Sequence, residues 1–132
     1  MRLTRATSYA LHAMLHLASV KSDVPLASHQ IAQARKVPER FLLKVMKPLV
    51  AAGLLHSVKG PHGGYRLARP ASQITLLDIV EAVEGPIRGQ PPYSALPGNH
   101  QLEKLLENIC NEVAEKTRQY LKSVKLTELL EK

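Results

Sequence analysis

Three kinds of side chain in this sequence have the chemistry to act on another molecule: clustered cations, paired histidines and a single thiol. The cations are the most concentrated. In "RFLLKVMK", Arg40, Lys44 and Lys47 recur at four- and three-residue spacing, which puts them on one side of a helix. Further on, "KGPHGGYRL" gathers Lys59, His62 and Arg66 around two adjacent glycines. Such groups suit phosphate oxygens, and an arginine at the start of a helix has the fork for bidentate contact with guanine. A phosphate cradle of the nucleotide-binding kind would need a helix and a Lys–Ser/Thr pair directly after the glycines. Here a β-like run follows. An ordinary hairpin turn accounts for the glycines, with Gly63 and Gly64 supplying unusual backbone angles. It leaves the cations unexplained, and a finger that touches DNA accounts for both.

The other groups carry less. His12 and His16 stand four apart, a spacing metals use, but no Glu follows His12 and the remaining histidines are scattered. They read as a partly exposed helix face. Cys110 falls between Leu106 and Val113 on an apolar stripe, beside Glu107 and Glu112. A sensing thiol would want cations nearby, so Cys110 reads as a small buried hydrophobe. Asp78, Glu81 and Glu84 read as the outer face of an amphipathic helix. No nucleophile is paired with a histidine, and no enzyme is expected.

The elements that must position the cations follow from periodicity and breakers. Thr4 to Val20 reads as a helix ended by "SDVP", and Ser28 can N-cap a short second helix. Val37–Pro38 breaks it. A third helix runs from Pro38 to Gly53, with a kink expected at Pro48. "LLHSV" and "GYRLA" read as strands either side of the glycine turn. Helix, helix, helix, strand, turn, strand is the order of a winged helix-turn-helix. Thr75 and Asp78 then fit a capping box for "TLLDIVEAVEG", which Gly85–Pro86 stops. "IRGQPPYSALPGNH" has no period and reads as a loop. From 101 to about 124 a long helix carries one apolar stripe, and "LTELLEK" closes the chain as a frayed turn. The fold expected is mainly α with a small β-hairpin wing. Its parts are a DNA-binding domain over 1–86, a loop or linker over 87–100, and a dimerisation helix with a C-terminal turn over 101–132.

Composition agrees with a polyanion as partner. The 132 residues are 45% hydrophobic and 4% aromatic, with one cysteine and a net charge of +7. Residues 1–70 hold eleven Lys/Arg against two acids, while 71–132 hold seven against nine. A cationic first half joined to a near-neutral second half marks the first as the electrostatic footprint. One cysteine leaves no internal disulfide framework. No apolar run reaches the roughly 20 residues of a membrane span, so a cytoplasmic location away from the membrane is expected.

"MRLTRATSYALHAMLHLA", "RFLLKVMKPLVAAGLLHSVKGPHGGYRLAR" and "ITLLDIVEAVEGP" together resemble the Rrf-two family of bacterial transcription regulators. The resemblance is strong over residues 1 to about 86 and looser in the C-terminal helix. It implies a dimeric winged-helix protein whose paired long helices cross. It also implies DNA contacts from the N-terminal Arg, the start of the third helix and the wing. The matching positions are Arg2, Thr4, Pro38, Glu39, Arg40, Phe41, Lys44, Lys59, His62 and Gly63. Cluster-binding members carry three cysteines before the long helix, and this chain has none there. A cluster ordinarily takes four ligands, so no cofactor is expected.

The sequence therefore points to a homodimeric regulator, acting as a repressor, on a pseudo-palindromic operator of double-stranded DNA. Arg5, Ser28 and Lys47 join the positions above as DNA contacts. The dimer seam is expected at Leu102, Leu105, Leu106, Ile109, Val113, Tyr120, Leu121 and Val124. A small-molecule or protein effector remains open. Two other readings also stand at this point: a winged-helix module that docks another protein, and a small ligand-responsive protein built around the 87–100 loop.

Overall fold

The computed structural model describes residues 2–20, 23–91 and 101–130, so most of the 87–100 loop lies outside the described residues. The elements are α1 (Arg5–Ser19), α2 (Ser28–Arg35), α3 (Glu39–Ala51), β1 (Leu55–Val58), β2 (Gly64–Leu67), α4 (Leu76–Glu84) and α5 (Gln101–Ser123). Single 3-10 turns at Ala71–Gln73 and Leu126–Leu129 complete them.

Local chemistry sets most of these boundaries. Thr4 caps α1, its Oγ1 accepting from the Thr7 N–H at 3.1 Å. The Thr75–Asp78 box forms in both directions, at 2.9 and 3.0 Å. At the end of α3, Gly53 takes φ of 76°, and the N–H groups of Gly53 and Leu54 return to the carbonyls of Val50 and Leu49. That pairing satisfies the last carbonyls of the helix and turns Leu54 into the core. Between α2 and α3, Lys36 adopts the left-handed region at φ 57°, and Val37 is buried. A turn that short holds α3 at an angle to α2.

Several expectations need correction. Ala27, not Ser28, is the N-cap of α2, and Ser28 is the first helical residue. The Gln30 side chain accepts from the Ala27 N–H at 2.9 Å and takes over the capping work. Pro38 is the N-cap of α3 and not its first helical residue, and the helix runs from Glu39 through Pro48 to Ala51. The unusual backbone angles of the wing fall at Gly60 and Gly64, with φ of 109° and 150°, and not at Gly63. The C-terminal turn is not frayed. Leu76 N–H donates to Val124 O, and Leu126 N–H donates to Ile74 O, both at 2.8 Å. Leu126 is fully buried in the main core.

α1 lies at the centre of that core, packed on α2, α3 and α4. Its Ala10, Ala13 and Met14 are fully buried, facing Leu42, Met46 and Leu49 of α3 within one cluster. The two strands pair antiparallel, Leu55 with Leu67 through Val58 with Gly64. A third, single-residue bridge joins Leu26 to Tyr65, with Leu26 N–H donating at 3.0 Å and Tyr65 N–H at 2.8 Å. The wing is thereby sewn to the entrance of α2.

α5 touches the rest of the chain mainly through α4. Leu121, expected in the dimer seam, packs instead against Leu77 and Val80 of its own chain. Val124 lies just past the helix and is half-buried.

Candidate nucleic-acid interface

The cations of α3 are presented by the burial of its other side. Leu42, Val45, Met46 and Leu49 face the core. Helical geometry then turns Glu39, Arg40, Leu43, Lys44 and Lys47 outward, and all five are exposed. Pro38, also exposed, starts the helix, its carbonyl accepting from the N–H groups of Phe41 and Leu42 at 3.1 Å.

Phe41 is half-buried and stacked on Tyr9 of α1, with ring centroids 5.8 Å apart and planes 5° from parallel. The Arg40 guanidinium lies 4.6 Å from the Phe41 ring centre, and the Lys44 ammonium 5.8 Å. Attraction to the ring face holds both cations near one place without neutralising them. Phe41 therefore serves as a brace for the two cations beside it. Sequence reasoning missed Tyr9 as the other half of that brace. It also missed Leu43, an apolar side chain 43% exposed among the cations. Its signal was an apolar residue on the polar side of an amphipathic helix.

The wing presents Lys59 and His62, both exposed, with Arg66 exposed opposite His56 across the strands. Gly63 belongs here for a different reason from the one expected. A Cβ on it would lie 2.1 Å from the Val58 carbonyl oxygen, so the turn closes only over a bare backbone. Its N–H donates to Gly60 O at 2.9 Å.

The N-terminal arm presents Arg2 and Arg5, both exposed, either side of the exposed cap Thr4. Arg5 and Tyr9 are one helical turn apart on α1. The Tyr9–Phe41 stack thus brings the start of α1 beside the first turn of α3. Ser28 is half-buried two residues beyond the Leu26–Tyr65 bridge, near the root of the wing.

Elsewhere, Arg69, Lys116 and Arg118 are held in ion pairs. Arg69 is in an ion pair with Asp78 at 3.5 Å, and Arg118 with Glu81 and Glu115 of its own chain. Among the described residues no ion pair involves Arg2, Arg5, Arg40, Lys44, Lys47, Lys59 or Arg66. The acids read from sequence as the outer face of an amphipathic helix are structural ties. Glu81 holds α5 through Arg118 and accepts from the Ile87 N–H at 2.8 Å. Glu84 accepts from the Thr7 hydroxyl of α1 and from the Thr4 N–H.

Away from these cations in sequence, α5 exposes Leu102 (63%), Leu105 (52%), Ile109 (54%), Val113 (58%) and Tyr120 (70%). Leu106 and Cys110 are half-buried. Between α4, α5 and residues 85–90 lies a cavity of about 430 Å³, with Arg2, Arg88, Glu84 and Cys110 in its wall. His12 and His16 are half-buried in α1. Burial, and secondarily the charge of Arg35, push the pKa of His16 down. No helix among the described residues is long and apolar enough to cross a membrane.

The Rrf2 family profile, described as an iron-dependent transcriptional regulator, matches residues 3–132. The chain is 35% identical to the putative HTH-type transcriptional regulator BadM of Rhodopseudomonas palustris, over 98% of this chain and 81% of BadM. It is 45% identical to protein aau3 of Rhizobium meliloti over 64% of this chain, a match spanning about half (54%) of aau3. Its structure is similar to that of CymR, the global cysteine regulator of Bacillus subtilis. That likeness has a TM-score of 0.74 and 28% identity, covering 98% of this chain and 95% of CymR. The family description names iron, and the donors here do not fit it. Cys110 is the single thiol of the chain. Among the described residues no three of His, Cys, Asp or Glu converge where a metal ion could be held.

Proposed function

The chain belongs to the Rrf2 family of DNA-binding transcription regulators, and from that premise we propose that it works as a homodimeric repressor on a pseudo-palindromic operator. The observation that carries this reading is the unpaired cationic stripe of α3, braced on Phe41 and Tyr9. In this reading α3 enters the major groove. Arg40 takes a guanine edge by its two parallel N–H groups, and Leu43 offers apolar contact to a thymine methyl. Lys44, Lys47 and Lys59 neutralise phosphates, as do Arg2 and Arg5 of the N-terminal arm. His62 reaches toward the duplex from the tight turn that the bare backbone at Gly63 allows.

Dimerisation follows from α5. Its 23 residues expose an apolar row that water-facing helices ordinarily lack. A second copy covers that row by presenting the same one, as two-fold symmetry requires. The labour then divides along the chain: residues 1–86 read DNA, 87–100 link, and 101–132 set the spacing of the two reading heads. Two equivalent heads favour two half-sites about one helical turn apart.

In vitro selection from a random duplex library tests the reading. The purified chain should enrich an inverted repeat, and its footprint on the corresponding promoter should overlap the polymerase site. Absence of any enriched sequence would reject DNA recognition. An enriched site upstream of the promoter, with transcription raised, would reject repression alone.

A further inference from the structure

α1 starts at Arg5 with no acidic residue in its first turn. A helix start carries partial positive charge on its free N–H groups, and an acid there is the usual complement. Here the opposite surrounds it, with Arg2 and Arg5 adding full charges. The missing acid arrives from the far end of α4. Glu84 Oε2 accepts from the Thr7 hydroxyl and, at 3.3 Å, from the Thr4 backbone N–H. Thr7 is fully buried, and its hydroxyl also lies 3.4 Å from Thr4 Oγ1. α4 itself is anchored by its buried side. Ile79 and Val80 are buried, and the helix stops at Glu84 because Gly85 turns the chain at φ 85°. Arg2 and Glu84 share the wall of one cavity, which places the arm on the same side of the molecule as this carboxylate.

We propose that Glu84 is a positioning residue for DNA binding: it pins the start of α1 through Thr4 and Thr7, and thereby fixes Arg2 and Arg5 where they meet phosphates. This rests on the reading of that arm as a DNA contact. Glu84 is itself an anion close to the DNA-facing surface, so charge alone and positioning predict opposite signs for its removal. Without the carboxylate, simple electrostatics makes the surface more cationic and tightens binding. Positioning instead frees the arm and weakens binding.

The test uses the full chain and the duplex enriched by in vitro selection, with fluorescence anisotropy across a salt series. Glu84→Ala should weaken binding by roughly tenfold or more and flatten the slope of log affinity against log salt by about two units, for Arg2 and Arg5 together, where Arg2→Ala flattens it by about one. The double variant should be no weaker than Glu84→Ala alone, because an arm already loose has no contact left to lose. Glu84→Gln keeps an acceptor oxygen and should hold the wild-type slope. Thermal melting by circular dichroism checks that each variant is folded. If Glu84→Ala is not folded, Thr7→Val, which deletes the other side of the pair, should flatten the slope in its place. Tighter or unchanged binding by Glu84→Ala, additivity with Arg2→Ala, or an inert Arg2→Ala would each overturn the proposal while leaving DNA recognition standing. A wild type that enriches no duplex would reject both.

Discussion

Two residues, Lys59 and His16, give opposite lessons about what a titratable side chain does here. Lys59 stands exposed at the root of the wing turn, in no ion pair among the described residues. If it neutralises one phosphate, Lys59→Ala should weaken binding on every sequence alike and flatten the salt slope by about one unit. An unchanged slope would return Lys59 to the solvated surface. His16 looks inward. Its pKa is pushed below its usual 6.5, first by burial and then by the Arg35 charge. The folded chain therefore holds the imidazole neutral where the unfolded chain would protonate it, and acid favours unfolding. That contribution is complete above about pH 6.5 and declines as pH falls toward the lower folded value. Urea midpoints at about pH 7.5 and 5 should fall less in His16→Gln than in the wild type. An equal fall would mean that another group carries the acid response.

At the scale of the element, the wing depends on glycines for two separable reasons. Gly60 has φ of 109°, and nothing lies within 4 Å of a Cβ built there. Gly64 has φ of 150°, and its Cβ would lie 2.2 Å from the Leu26 carbonyl oxygen. Gly60→Ala should cost only backbone strain, about 1–2 kcal/mol. Gly64→Ala adds collision with the Leu26 backbone and should cost about 3 kcal/mol or more, since the bridge to Tyr65 has to open. Urea unfolding of both variants measures the difference, and equal costs would show the bridge to be dispensable. α3 is an element of another kind. Its composition already read as one apolar and one cationic face, yet its first turn is steadied by Tyr9, far away in sequence.

For the whole molecule, the question is what covers α5. Ile109 and Val113 are more than half exposed, and neither is needed by the chain's own core. Ile109→Asp with Val113→Asp should leave the monomer folded, with a wild-type circular dichroism spectrum. It should also place two unpaired charges in the seam, each costing several kcal/mol. Sedimentation at micromolar concentration should then show monomers where the wild type shows dimers. Operator binding should fall with it, because one reading head loses the help of the other. A wild-type monomer would reject the seam. The same whole-molecule view explains why Leu121 left the predicted stripe. α5 must lean on α4 somewhere, and Leu121 is the residue that does so, against Leu77 and Val80.

The sequence by itself determined the order of elements, the box at Thr75 and Asp78, the stop at Gly53 and the cationic side of α3. Each of these is a local matter. Caps and breakers act within about four residues, and a period of 3.6 states which side of a helix is apolar. Only the tertiary structure decided the partners. Glu84 with Thr7, Glu81 with Arg118, Leu26 with Tyr65, Tyr9 with Phe41 and Leu126 in the core all join residues distant along the chain. Periodicity marks Leu121 and Ile109 as equally apolar. It does not say that α4 covers the first and leaves the second open, because a stripe records the need for burial and not the surface that meets it.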